Sequence, residues 1–154
     1  MHFSKKKLKK IRSVKQVRGI DKTSAHWKPK GIWISDESAN LGWKEWCTRE
    51  EYNLEGLSYA HEIVLSSLAK ILYIKSAKEL DEFFNKYKCE IYPQTSIYGI
   101  KWSDVASEYD GIIITPYLWE RRLDPATSFY YGWDCASGCI WNSKAIKEVK
   151  LVEK

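Results

Sequence analysis

The chain has 154 residues, 44% hydrophobic and 29% charged, which suits one globular domain burying about 70% of its unfolded surface. No apolar run is long enough to span a bilayer, and the basic start Met1-His2-Phe3-Ser4-Lys5-Lys6-Lys7 lacks the apolar core of a signal peptide, so a cytoplasmic protein is expected. The net charge of +5 is uneven: residues 1–30 hold eleven of the 25 Lys and Arg but one of the 20 acids, Asp21, leaving 14 bases against 19 acids elsewhere.

Residues 1–18 read as a basic head, and residues 5–18 could meet nucleic acid or another anionic surface, or stay solvated. Leu8, Ile11, Val14 and Val17 fall three apart, as in a helix, yet Ile11-Arg12-Ser13-Val14 also reads as an opening strand. A single α+β domain is expected over residues 19–154. Gly19, Thr23, Ser24 and Pro29 mark a loop up to residue 30. Gly31-Ile32-Trp33-Ile34-Ser35 is a short strand with Trp33 and Ser35 on one side. Trp43, Trp46 and Cys47 then follow helical spacing, which puts both indoles on one face, as core or as a pocket wall.

Residues 61–66 and 70–75 are strands. Ser76 with Glu79 forms a capping box, and Leu80, Phe83, Phe84 and Tyr87 form the apolar stripe of a helix ending near Tyr87. Residues 89–101 are a connection with a short strand near 96–100. Trp102, Val105 and Ala106 face inward on a short helix, which Tyr109-Asp110-Gly111 ends through a glycine turn. Gly111-Ile112-Ile113-Ile114-Thr115 is a buried central strand stopped by Pro116. Residues 117–130 are long enough for a lid or binding loop.

Residues 131–142 gather Trp133, Trp141, Cys135, Cys139, Gly132, Gly138, Ser137 and one carboxylate, Asp134. Such a stretch lines a pocket or fills its place. Residues 137–141 read as the last strand, before a polar turn and a tail. The four cysteines suit free thiols in a reducing compartment. The C-x3-C spacing of Cys135 and Cys139 fits zinc poorly, and no metal site is expected.

Three motifs give the chain its resemblance to the ADP-ribosyltransferase-like fold, in its small viral or bacterial type, over residues 30–147. Gly31-Ile32-Trp33-Ile34-Ser35 is similar to the strand that sets an aromatic ring and a Ser beside nicotinamide. Glu108-Tyr109-Asp110-Gly111-Ile112 is similar to the turn into a late strand. Ser137-Gly138-Cys139-Ile140-Trp141-Asn142, with Ile146, is similar to the closing strand.

The resemblance implies a split, mostly antiparallel sheet with short helices around a central cleft. It also implies NAD as cofactor and a macromolecular acceptor, protein or nucleic acid. In the family, a carboxylate at the start of the closing strand stabilises the oxocarbenium-like transition state. Here Ser137 holds that position and Asp134, three residues earlier, is the nearest acid, so these two are the candidate catalytic residues. Glu120 and Asp124 are further candidate acids in the preceding loop. Trp33, Ser35, Trp43, Trp46 and Trp133 are expected around nicotinamide. Arg12 or Lys28 would meet the dinucleotide, Tyr117 its acceptor side. A viral origin would place the protein in the cytoplasm or nucleus of a host cell.

Two readings without catalysis stand beside this one. The aromatic cleft could bind a nucleotide or single-stranded nucleic acid by stacking alone, or the chain could be a small inhibitor or interaction protein of a mobile element. No phosphate-binding G-x-x-x-x-G-K-[ST] or G-x-G-x-x-G motif is present, and no motif pairs a Cys with His26 or His61 as a nucleophile.

Overall fold

The computed structural model describes residues 1–16, 28–92, 94 and 97–152. It is an α+β protein with mostly antiparallel sheets. The strands are β1 (His2–Ser4), β2 (Ile32–Ser35), β3 (Tyr59–Leu65), β4 (Ile71–Ile74), β5 (Lys88–Tyr92), β6 (Ile97–Ile100), β7 (Gly111–Ile114), β8 (Ser137–Ile140) and β9 (Ile146–Val152). The helices are α1 (Trp43–Arg49), α2 (Ala77–Tyr87) and α3 (Trp102–Glu108), with short 3-10 turns between elements.

One sheet has the order β2-β8-β7-β4, antiparallel except for the β7–β4 pair. A second, antiparallel sheet has the order β1-β3-β9, and β5 and β6 form a hairpin. The two larger sheets meet where β1 runs beside β2. There Met1 N donates to Ser35 O and Ser35 N to Met1 O, each at 2.7 Å.

The core lies on the four-stranded sheet under α2, α3 and residues 117–136. In α2, the Ser76 hydroxyl accepts from Glu79 N at 3.2 Å, while Glu79 reaches back to Lys75 N at 2.6 Å. Leu80, Phe83, Phe84 and Tyr87 are all buried, as their stripe predicts. Phe129 lies between Phe83 and Phe84 of α2 and Trp133, with centroids 5.7, 5.9 and 5.9 Å away. Such ring pairs add to the stability from burial.

Several expectations change. Residues 5–16 form neither helix nor strand. The first strand is His2–Ser4, paired with β3, rather than the Ile11–Val14 stretch. Val17, His26 and most of the loop expected up to residue 30 lie outside the described residues. The connection after α2 contains a hairpin, entered directly from the helix. Gly111 makes no turn. It sits inside β7, where a Cβ would come within 2.8 Å of Cys139 O, so glycine lets β8 approach. Residues 117–130 are no lid, since Tyr117, Leu118, Thr127, Phe129 and Tyr130 are buried. Arg121 also ties this segment to α2 through two bonds to Asp81, at 2.9 and 2.8 Å. The last strand is β9, not β8, because the tail pairs with β3.

Candidate functional site

A cavity of about 270 Å³ opens at the junction between the two larger sheets. One wall is β1, with Met1, His2 and Phe3. The opposite wall is β2, with Trp33, Ile34 and Ser35. Trp43 at the start of α1, Asn53, Lys28 and residues 132–135 with Ser137 complete it. This is just below the ~300 Å³ at which small-molecule pockets begin, so it suits a small ligand or one part of a larger one.

Local chemistry explains each position. Gly42, the residue before α1, has no side chain to cap the helix. Ser35 substitutes: its hydroxyl accepts from Trp43 N at 2.7 Å and donates to Glu37. Ser35 therefore has no free proton for a ligand and serves to hold Trp43 against the cavity. Trp43 stacks on Trp46, centroids 5.1 Å apart and planes at 12°, and Tyr52 meets both rings edge-on.

Trp133 is fully buried and forms the floor. Tyr117 lies beneath it, donating its hydroxyl to Trp133 O at 2.8 Å. Register sets Ser137 opposite Ser35, and the Ser137 hydroxyl donates to Cys135 O at 3.0 Å. Ser137 can thus only accept from a ligand.

The remaining groups carry charge. Lys28 Nζ lies 5.3 Å from the Trp33 ring centre, within cation–π range, and its stem crosses the face of Gly132. Burial lifts the Asp134 carboxyl above its ordinary pKa, and Lys28 and Arg122 partly counter the shift. Among the described residues no hydrogen-bond donor holds this carboxylate. His2 donates through Nδ1 to Trp33 O at 2.7 Å, and burial lowers its pKa. Cys135 also lines the cavity, but burial pushes its thiol up to about 12, so it stays protonated and weakly nucleophilic near neutral pH.

Of the ten candidate residues, the structure brings seven to this cavity: Lys28, Trp33, Ser35, Trp43, Trp133, Asp134 and Ser137. Three lie elsewhere. Trp46 is behind Trp43, and Tyr117 is under the floor with its side chain buried, away from any acceptor. Arg12 is exposed next to Ser13, which is bound to Asn142 and Ser143 at the far end of β8. Of the loop acids, Asp124 caps a 3-10 turn through Ala126 N at 2.9 Å, and Glu120 lines a surface groove with Trp119, Arg122 and Tyr131. Neither reaches the cavity. His61 packs behind His2, with ring centroids 6.2 Å apart.

The cavity residues absent from the expectations are chiefly Met1, His2, Phe3 and Asn53. Asn53 adopts the left-handed backbone that Asn tolerates, with φ 48°, a preference that marks a turn and not a cavity wall. The β1 residues carried no signal, because their placement depends on pairing with β3. No family model, curated protein or solved structure matches the chain.

Proposed function

We propose that this cavity binds the nicotinamide–ribose end of NAD and that the protein transfers ADP-ribose to a macromolecular acceptor. One observation carries the reading: a single cavity sets a lone carboxylate, Asp134, among three indoles with a lysine at its rim. The nicotinamide ring of NAD is flat and cationic. Tryptophan faces attract such a ring, and a carboxylate stabilises positive charge beside it. Lys28 is placed to meet a phosphate as a point charge.

When bound, NAD supplies an electrophilic ribose carbon with nicotinamide as its leaving group. The chain's own residues would do the rest. Trp33 and Trp43, which keep exposed surface, would hold the ring over the buried Trp133 and exclude water. Asp134 would stabilise positive charge on a bound ribose, and Ser137, whose proton goes to Cys135 O, would accept a hydrogen bond from a sugar hydroxyl. A cavity of this volume would admit the ring with its ribose, and Lys28 at the rim would be available to a phosphate.

The test is nicotinamide release from NAD by purified protein, with labelling of an acceptor in lysate. Release that disappears in Asp134→Asn supports the reading. The wild type releasing nothing, with NAD failing to quench tryptophan fluorescence, would sink it. Quenching without release would favour the binding-only alternative. That alternative draws support from Ser137, a residue without a carboxylate at the start of β8.

A further inference from the structure

The basic residues near the start of the chain form a fixed track. Residues 5–16 have no regular structure, yet they are held along their length. Ser4 Oγ donates to Lys6 O at 2.7 Å, and Leu8 N to His61 Nε2 at 3.2 Å. Ser13 Oγ accepts from Ser143 N at 2.9 Å, and Val14 N donates to Trp141 O at 2.8 Å. The Gln16 side chain pairs with both backbone groups of Lys30, at 2.7 and 3.0 Å.

Leu8 and Ile11 are half-buried, while Lys6, Lys7, Lys9, Lys10, Arg12 and Lys15 are exposed. Among the described residues none of these six cations has an acid within ion-pair distance, whereas Lys5 pairs with Glu55 at 2.7 Å. Six cations are thus displayed on a backbone that is already ordered, so a partner need not supply that ordering.

No residue of the track lines the cavity, but both of its ends lead to residues that do. Its start continues from β1, and its end is pinned to Lys30, two residues from Lys28 at the cavity rim. We propose that residues 5–16 bind the phosphate backbone of single-stranded nucleic acid, with Lys30 and Lys28 continuing the track toward the aromatic cavity. The rest of the chain is net acidic, with 14 Lys and Arg against 19 acids beyond residue 30, so the excess of positive charge lies in the first 30 residues. An extended segment of this length spans up to ~35 Å, enough for several consecutive phosphates. Because Leu8 and Ile11 are half-buried and Val14 is the one exposed apolar side chain of residues 5–16, the strip offers little apolar surface for insertion into lipid, which separates it from a membrane-binding segment. A single strand fits better than a duplex, since only an unpaired base can reach an indole-lined cavity.

The experiment is fluorescence anisotropy of labelled 20-nucleotide single strands, oligo-dT and oligo-U, with the full chain between 50 and 200 mM salt. Neutralising about five phosphates gives a logarithmic slope near −3.5, or roughly a 100-fold loss of affinity over that range. The variant with Lys6, Lys7, Lys9 and Lys10 all changed to Gln should bind at least ~10-fold more weakly at 50 mM, with a much shallower slope. Should it fold poorly, the pair Lys9→Gln and Arg12→Gln reads out the same effect at about half the size. No binding at 50 mM salt overturns the proposal. So does unchanged affinity in a folded variant, or retention on phosphatidylserine vesicles that oligonucleotide does not compete away. Oligonucleotide binding is read without NAD, so a failure of nicotinamide release leaves this proposal standing, and its own failure leaves the NAD reading untouched.

Discussion

Trp133 meets Trp33 edge-to-face, with ring centroids 5.0 Å apart and planes at 67°. The two rings are the floor and one wall of the cavity, and they differ in what surrounds them. Trp133 is 1% exposed and packs on Trp102, Phe129 and Tyr130, while Trp33 is only partly buried. Trp133→Ala should therefore cost ~3–5 kcal/mol of stability. Trp33→Ala should cost ~1 kcal/mol and chiefly weaken ligand binding. Urea melts combined with NAD quenching of tryptophan fluorescence separate the two. Equal stability losses would contradict the assignment of wall and floor.

Asp134→Asn should abolish nicotinamide release without destabilising the fold at pH 7. Burial raises this carboxyl above its ordinary 3.8, so the folded state holds the proton more tightly than the unfolded chain. Stability from that group is present at low pH and fades as pH rises through the folded value. Removing the charge at pH 7 should leave Tm equal or slightly higher. A large drop in Tm would make Asp134 a structural residue.

Gly132 and Gly138 should respond differently to alanine. A Cβ at Gly132 would come within 2.8 Å of Lys28 Cε, the far part of a flexible side chain. A Cβ at Gly138, in β8 between β2 and β7, would collide with the backbone of Ile112 and Ile113. Gly138→Ala should cost ~2 kcal/mol or more, or prevent folding. Gly132→Ala should keep Tm within a few degrees while displacing Lys28 and weakening NAD binding. The measurement is Tm and NAD titration of both variants, and similar behaviour would contradict the prediction.

Acid should loosen the junction between the sheets. Burial lowers the His2 pKa from its ordinary 6.5, with its bond to Trp33 O opposing the shift and His61 adding to it. The unfolded chain then takes up the proton more readily than the folded one. This contribution to stability is complete above pH 6.5 and is lost as pH falls toward the lower folded value. Tm should drop between pH 7.5 and 5, and less steeply in His2→Asn, whose amide can still donate to Trp33 O. Identical pH profiles for the two proteins would contradict this.

The thiols should be quiet. Burial pushes Cys47 up to about 11 and Cys135 and Cys139 up to about 12, and all three are buried. Only Cys89 is partly accessible. A thiol reagent at pH 7.5 should titrate at most one cysteine in the native protein and four after denaturation. Rapid reaction of Cys135 would show that the cavity activates it.

The sequence by itself determined features whose signals lie within one turn or one strand. The Ser76–Glu79 cap, the α2 stripe and the buried β7 could be read because burying one face of an element imposes a local period. The same alternation set Trp33 and Ser35 toward one side, and the density of rings and small residues around Trp133 marked the cavity floor. Only tertiary structure decided which distant edges pair. β1 joins β3 across 57 positions, and β9 occupies the other edge of that strand, since strand partners are chosen by which edges remain free. Tertiary packing also turned Tyr117 under the floor, committed the Ser35 hydroxyl to α1 and moved Arg12 away from the cavity. Exposure and hydrogen-bond partners at those positions come from neighbours far along the chain, and no local period carries that information.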